Sequence, residues 1–215
     1  MNNIVQDLRE SYEQSTLERS EVADDPIRQF KTWMEAAIAA AIKEPNAMTL
    51  ATADASGRPS ARVVLLKGIS EEGFIFYTNY ESQKGKELLE NPQAALVFNW
   101  LDLEQQIRIQ GSVEKIPTAA SEAYFQSRPK GSQIGAWASP QSRVIEDRSI
   151  LEQQVEQLQK TYAEAEKLPR PPHWGGFLLR PQVIEFWQGR SSRLHDRIRY
   201  RLDKAQNWVI ERLAP

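Results

Sequence analysis

The 215-residue chain contains no cysteine. That excludes a disulfide framework, a thiolate nucleophile and any cysteine-ligated metal, and it fits a reducing compartment. Histidine is almost as scarce: with only His173 and His195 available, no dedicated transition-metal site is expected. Long apolar runs are missing too. No stretch approaches the roughly 20 apolar residues needed to cross a bilayer, and the opening MNNIVQDLRESYEQSTLERS has no signal-peptide core. The expectation is a soluble, cytoplasmic protein. Neither sign of charge is in excess, since 27 Lys and Arg stand against 29 Asp and Glu. This argues against a chain built to coat nucleic acid or an anionic membrane. A strand leading through Gly-x-Gly-x-x-Gly into a helix is also absent, so a Rossmann site is unsupported. Any anion site must be local.

What is present suits one good-sized domain. Residues 1–24 are polar and aperiodic and read as a mobile arm, with the domain proper over 25–215. A helix is predicted from Asp24 or Asp25, with Pro26 in its first turn and Phe30, Trp33, Met34, Ala37 and Ile38 on one face. Short β-prone runs follow at 48–54, 60–69, 73–79, 94–100 and 105–116. Their hairpin-like spacing favours antiparallel order and a barrel or sandwich. Helices are predicted near Ser82–Asn91 and from Thr118. A longer one is predicted over 142–166, where Val144, Leu151, Val155, Leu158 and Tyr162 form one apolar stripe. The prolines of LPRPPHW end it. Three strands, GGFLLR, QVIEFWQG and SRLHDRIRYRL, then lead to NWVIERL after a turn at Asp203–Asn207. The fold class is α+β, mainly antiparallel β. The 19 aromatic residues (six Trp, six Tyr, seven Phe) suit core and interface packing, or stacking on a planar ligand.

In SRLHDRIRYRL, strict alternation puts Arg193, His195, Arg197, Arg199 and Arg201 on one face, and Leu194, Ile198, Tyr200 and Leu202 on the other. Such a cationic row is either screened by solvent or partly neutralised by an anionic ligand. Arg199 and Arg201 read as solvent-facing charges.

The stretch IEFWQGRSSRLHDR at 184–197 resembles the signature of the pyridoxine/pyridoxamine 5′-phosphate oxidases: acid, aromatic, Trp, four variable positions, then Arg, aliphatic, His, acid, Arg. The resemblance runs from Arg9 to the terminal ERLAP. It implies an FMN-binding split β-barrel with flanking helices, and a homodimer with its two flavin sites at the subunit interface. It also implies that FMN is held by Arg62, Val63, Val64, Leu65, Leu66 and Lys67, by Tyr77 and Thr78, by Gln83 and Lys84, by Gln106, by Gln141 and Ser142, and by Trp187 and Arg197. The substrate phosphate would meet Lys67, Tyr124, Arg128 and Ser132, a set of cations and hydroxyls chemically suited to a dianion. Arg193 and His195 would stand beside the pyridine ring as the catalytic pair, with Arg9 and Tyr12 contributed by the arm. The implied reaction oxidises pyridoxine or pyridoxamine 5′-phosphate to pyridoxal 5′-phosphate and passes the electrons to oxygen. One departure is Gln83, where the family usually has Arg, and it implies looser FMN binding. Two rival readings stay open: another split-barrel flavoprotein without the phosphate clamp, and a non-catalytic carrier of FMN or pyridoxal phosphate.

Overall fold

The computed structural model describes residues 11–215. Arg9 therefore lies outside the described residues. The α-helices are α1 Pro26–Ala39, α2 Gln83–Glu90, α3 Thr118–Ser127, α4 Lys130–Ala138 and α5 Ser149–Thr161. The strands are β1 Ala47–Ala53, β2 Pro59–Leu65, β3 Gly68–Ile69, β4 Phe74–Asn79, β5 Gln93–Trp100, β6 Gln105–Lys115, β7 Trp174–Gln188, β8 Asp196–Leu202 and β9 Trp208–Arg212. Their hydrogen-bonded order is β2-β1-β5-β6-β7-β4-β3, with β8 on β7 and β9 on β8. The result is a curled antiparallel half-barrel, the expected α+β split-barrel class. Among the described residues, no helix is long and apolar enough to cross a membrane.

The chain packs as two compact units. One takes in residues up to Leu50, Ala95–Gly111 and Pro181–Pro215; the other takes in Ala51–Ala94 and Ser112–Arg180. In the first unit, Asp25 caps α1 by accepting the Arg28 backbone N–H at 2.7 Å. The helix buries Phe30 against Phe98 and Trp33 against Phe186, with ring centroids 5.0 and 5.2 Å apart. The segment expected as a mobile arm has no regular structure over 11–24, yet Leu17 and Val22 are buried. Its carbonyls at Leu17 and Ala23 accept from Arg212 and the Tyr200 hydroxyl. In the second unit, Phe125, Ile134, Leu168 and Trp174 form a core on which Val155, Leu158 and Tyr162 of the long helix pack.

Four expectations are corrected. The long helix begins at Ser149 rather than near 142, because Asp147 turns its carboxylate onto the Ser149 N–H at 2.6 Å and competes with helical continuation. Val144, placed on its stripe, is fully exposed outside it. Residues 130–138, in a run of Gly and Ser with Pro129 before it, form α4, which propensity did not suggest. GGFLLR and QVIEFWQG are one 15-residue strand, β7. Pro181 is tolerated there because residues 174–179 pair with β4 and residues 183–188 with β8, so the proline falls between the two ladders. Finally, SRLHDRIRYRL is a strand only from Asp196. Ser191–Arg193 form a single tight turn in which Ser192 and Arg193 have φ of 55° and 61°. Alternation holds from Arg197 onward, with Ile198 and Tyr200 buried on the inner face.

Candidate active site

Residues from β2, β4, α2, α3, α4 and the start of β7 converge on one cavity of about 610 Å3 in the second unit. From β2 and the bend after it come Arg62, Val63, Val64, Leu65 and Lys67; from β4, Tyr77 and Thr78; from α2, Lys84; from α3 and the residues up to Gln141, Tyr124, Arg128, Ser132 and Gln141 itself. The split between β2 and β3 at Leu66-Lys67 is what turns Lys67 toward the cavity and Leu66 into the core. Leu66, Gln83 and Ser142 do not line it. Sequence reasoning missed Asn79, Gly135, Ala136, Ser139 and Trp174, which do. Trp174 follows the proline-rich turn, and only its being a large aromatic at a strand start could have marked it.

The cavity has a cationic floor over an aromatic wall. Tyr77 and Tyr124 stack with centroids 3.9 Å apart, and Trp174 stacks on Tyr77 at 5.3 Å. Burial holds both phenols above their ordinary pKa, so both remain hydroxyl donors. The Arg128 guanidinium lies 4.7 Å over the Trp174 ring. Its Nη1 is buried with no hydrogen-bond partner. A buried donor atom left without a partner is costly unless an acceptor completes it. Lys84 is buried, and among the described residues its Nζ reaches only neutral oxygens: Thr78 Oγ1 at 3.4 Å, Ser82 Oγ at 3.4 Å and Gln141 Oε1 at 3.3 Å. Burial, then the charge of Arg62, lowers its pKa, while Glu87 opposes them.

Glu87 of α2 organises a polar network that reaches the cavity through Arg62. Its Oε2 accepts from Thr52, from Ser60 at 2.7 Å and from Arg62 at 3.4 Å, and its Oε1 accepts from Gln83 at 2.8 Å. Burial pushes its carboxyl up, but hydrogen bonds from Thr52, Ser60 and Gln83 together with the Arg62 charge outweigh this and hold it below the ordinary range. Gln83 is thus engaged with a carboxylate of its own helix.

The remaining expected residues lie in the first unit. Tyr12, Trp187 and His195 form a ring cluster, with centroids 4.6 Å apart for Trp187 and His195, and 5.8 Å for Tyr12 and His195. Gln106 lines a smaller cavity of about 260 Å3 with Tyr12 and Trp187. Burial, then the Arg193 charge, lowers the His195 pKa. Arg193 itself is exposed on the tight turn. Part of the cationic row is paired within the protein: Arg197 Nε meets the buried Glu185 at 2.8 Å, and Arg199 and Arg201 share Glu211 of β9. Arg199 and Arg201 are therefore paired, not simply solvent-facing. His173 has its Nε2 3.2 Å from the Ala136 carbonyl and stacks edge-on with Trp137, a packing role.

The half-barrel sheet and its cationic, aromatic-backed cavity define a protein of the split-barrel class. A Nostoc punctiforme protein described as pyridoxamine 5′-phosphate oxidase-related and FMN-binding shares this fold at a TM-score of 0.69 and 19% identity, covering 88% of this chain and 98% of that one. A family profile described as Pyridoxamine 5′-phosphate oxidase matches residues 34–162, and one described as Pyridoxine 5′-phosphate oxidase C-terminal dimerisation region matches 174–215. The chain belongs to the pyridoxine/pyridoxamine 5′-phosphate oxidase family. Relatives bearing that name include those of Salinibacter ruber, 56% identical over 97% of this chain and 98% of the relative, and of Synechocystis, 57% identical over 97% of each. The crystal structure of PhzG from Burkholderia lata, in complex with tetrahydrophenazine-1-carboxylic acid, superposes at a TM-score of 0.89 with 34% identity, over 96% of this chain and all of that one.

Proposed function

We propose that the chain oxidises pyridoxine 5′-phosphate and pyridoxamine 5′-phosphate to pyridoxal 5′-phosphate, with FMN as cofactor and oxygen as electron acceptor. Hydrogen peroxide is released, and ammonia from the amine, as part of cytoplasmic vitamin B6 synthesis and salvage. The observation that carries this reading is the buried, unpartnered Nη1 of Arg128 in a cavity shared with Lys67, Tyr124 and Ser132. A phosphate supplies the acceptors this set lacks.

FMN fits the same cavity by the chemistry of its donors. Arg62, Lys84, Thr78 and Gln141 offer two cations and two polar side chains, and among the described residues Lys84 has no carboxylate within hydrogen-bond reach. When bound, FMN supplies a two-electron acceptor that oxygen can reoxidise. Lys67, Tyr124, Arg128 and Ser132 hold the substrate's phosphate and so fix the register of its ring. Trp187, Arg197 and Gln106 belong to the flavin side. Arg193, His195 and Tyr12, with Arg9, attend the ring, where positioning provides much of the rate. Trp187, Arg193, His195 and Arg197 fall in the stretch matched as the dimerisation region, which supports a homodimer, and in this reading its flavin sites lie at the subunit interface.

The likeness to PhzG favours a second reading, oxidation of a carboxylated ring compound. The phosphate clamp distinguishes the two, since such a compound leaves Arg128 and Lys67 without a dianion. The test is to purify the protein, record its flavin absorbance, add pyridoxine 5′-phosphate in air and follow pyridoxal phosphate and peroxide. Stoichiometric formation of both is expected. A protein that stays inert after FMN addition contradicts the reading.

A further inference from the structure

The signature stretch contains two carboxylates, Glu185 and Asp196, to which the proposed chemistry assigns no part. Glu185 is engaged by Arg108 at 3.3 Å and Arg197 at 2.8 Å. Among the described residues, Asp196 accepts from three donors. Its Oδ2 accepts from the Leu17 backbone N–H at 3.2 Å and from Arg190 Nη1 at 3.2 Å, and its Oδ1 from Arg212 Nη1 at 2.7 Å. Arg190 opens the tight turn that leads to His195, and its backbone N–H donates to His195 Nδ1 at 3.1 Å. Between these two residues the chain passes through Ser192 and Arg193 in the left-handed region. Non-glycine residues hold that conformation only where their surroundings over-determine it. The surroundings here are specific: the Gly189 N–H is tied to the Glu104 carbonyl at 2.7 Å, and Asp196 grips the Arg190 side chain while the Arg190 amide grips the imidazole.

The consequence is a matter of where a proton sits. A backbone amide can only donate, so Nδ1 must carry the lone pair, and the single proton of a neutral imidazole is then on Nε2. We propose that Asp196 is a positioning residue which, through Arg190, fixes His195 as the neutral Nε2–H tautomer, so that His195 meets the substrate as a hydrogen-bond donor and not as a proton acceptor. Among the described residues, the charged and titratable groups around the ring are Arg193 on the turn, the mutually paired Arg190 and Asp196, and Tyr12; Trp187 supplies an uncharged face. Burial and the Arg193 charge, which hold the imidazole below its ordinary pKa, act in the same direction. The donor role rests on the proposed substrates; the tautomer does not.

The test uses the FMN-loaded full-length protein labelled with 15N in histidine, where two histidines give a readily assigned spectrum. The wild-type protein, without substrate, should show His195 as a single Nε2–H tautomer. Asp196→Ala should convert it to a mixture and lower kcat/KM for pyridoxine 5′-phosphate on the order of 10- to 100-fold, the scale of a misplaced reacting group, with FMN binding unchanged. Arg190→Ala keeps the amide and removes the guanidinium, and should reproduce both effects even if Asp196→Ala does not fold. A wild-type His195 found as the Nδ1–H tautomer or as an even mixture overturns the proposal, as does retention of tautomer and kcat/KM in the folded variants. A protein with the stated tautomer but no turnover of B6 phosphates upholds the positioning link and rejects the donor role.

Discussion

Replacing Arg128 with Met separates the cost of a binding site from its use. In the folded chain the guanidinium lies on Trp174, and its Nη1 is buried without a partner. Burial lowers its pKa, so the cation is held at a disadvantage until an anion arrives. A hydrogen bond to a charged group contributes about 1.5–3 kcal/mol. At about 1.4 kcal/mol per decade, losing it should raise KM for pyridoxine 5′-phosphate roughly 12- to 150-fold. Unphosphorylated pyridoxine never makes that bond, so its kcat/KM should change by less than about threefold if the effect is confined to the phosphate. Met keeps the contact with the Trp174 face and removes the buried charge. The ligand-free variant should therefore melt at the same temperature as wild type or higher, and inorganic phosphate should stabilise only the wild type. Steady-state assays on both substrates and thermal unfolding with and without phosphate give the answer. Equal losses on the two substrates, or a ligand-free melting temperature lower by more than the roughly 2–4 °C that 1 kcal/mol produces, would refute the assignment of Arg128 to the phosphate.

Two further substitutions test how the flavin side is built. A side chain at Gly85 would put its Cβ 2.6 Å from the Asn79 carbonyl oxygen and closer still to that of Tyr80. Gly85→Ala should thus push α2 from β4, destabilise by about 1–3 kcal/mol in denaturant unfolding, and weaken FMN binding through Lys84; wild-type stability and FMN affinity in the variant would sink this. Because Glu87 is held below the ordinary carboxylate value of 4.5, its contribution to stability is fully present above that pH. It is lost as pH falls through the depressed folded value. Glu87→Gln should flatten the acid limb of the stability–pH curve below about pH 4.5 and weaken FMN more than riboflavin, which lacks the phosphate near Arg62. Parallel acid limbs in variant and wild type would speak against the network.

The strands were legible because each carries its alternation locally: Met48, Leu50 and Thr52 face inward on β1, and Phe74, Phe76 and Thr78 on β4. The cavity residues were reached through the resemblance, and the structure brings twelve of them to one cavity: Arg62, Val63, Val64, Leu65, Lys67, Tyr77, Thr78, Lys84, Tyr124, Arg128, Ser132 and Gln141. The errors have physical causes. In SRLHDR, apolar and cationic residues alternate as they would in a strand, but two left-handed residues and the Arg190–His195 bond make it a turn. The pairing of the cationic row with Glu185 and Glu211 is set by strand register, which the residues of β8 do not encode. Glu87 escaped notice because its partners Thr52, Ser60 and Arg62 lie 25 or more positions away.

In the homodimer proposed above, the phosphate-binding set of one protomer works with the ring-binding set of its partner. Co-expression of Arg128→Met and His195→Asn chains carrying different tags, followed by isolation of the doubly tagged heterodimer, tests it directly. In the heterodimer one site carries both lesions and the other neither. The account predicts about half the wild-type kcat/KM, since one of two equivalent sites is restored. Activity no higher than the mean of the two impaired parent homodimers would contradict it.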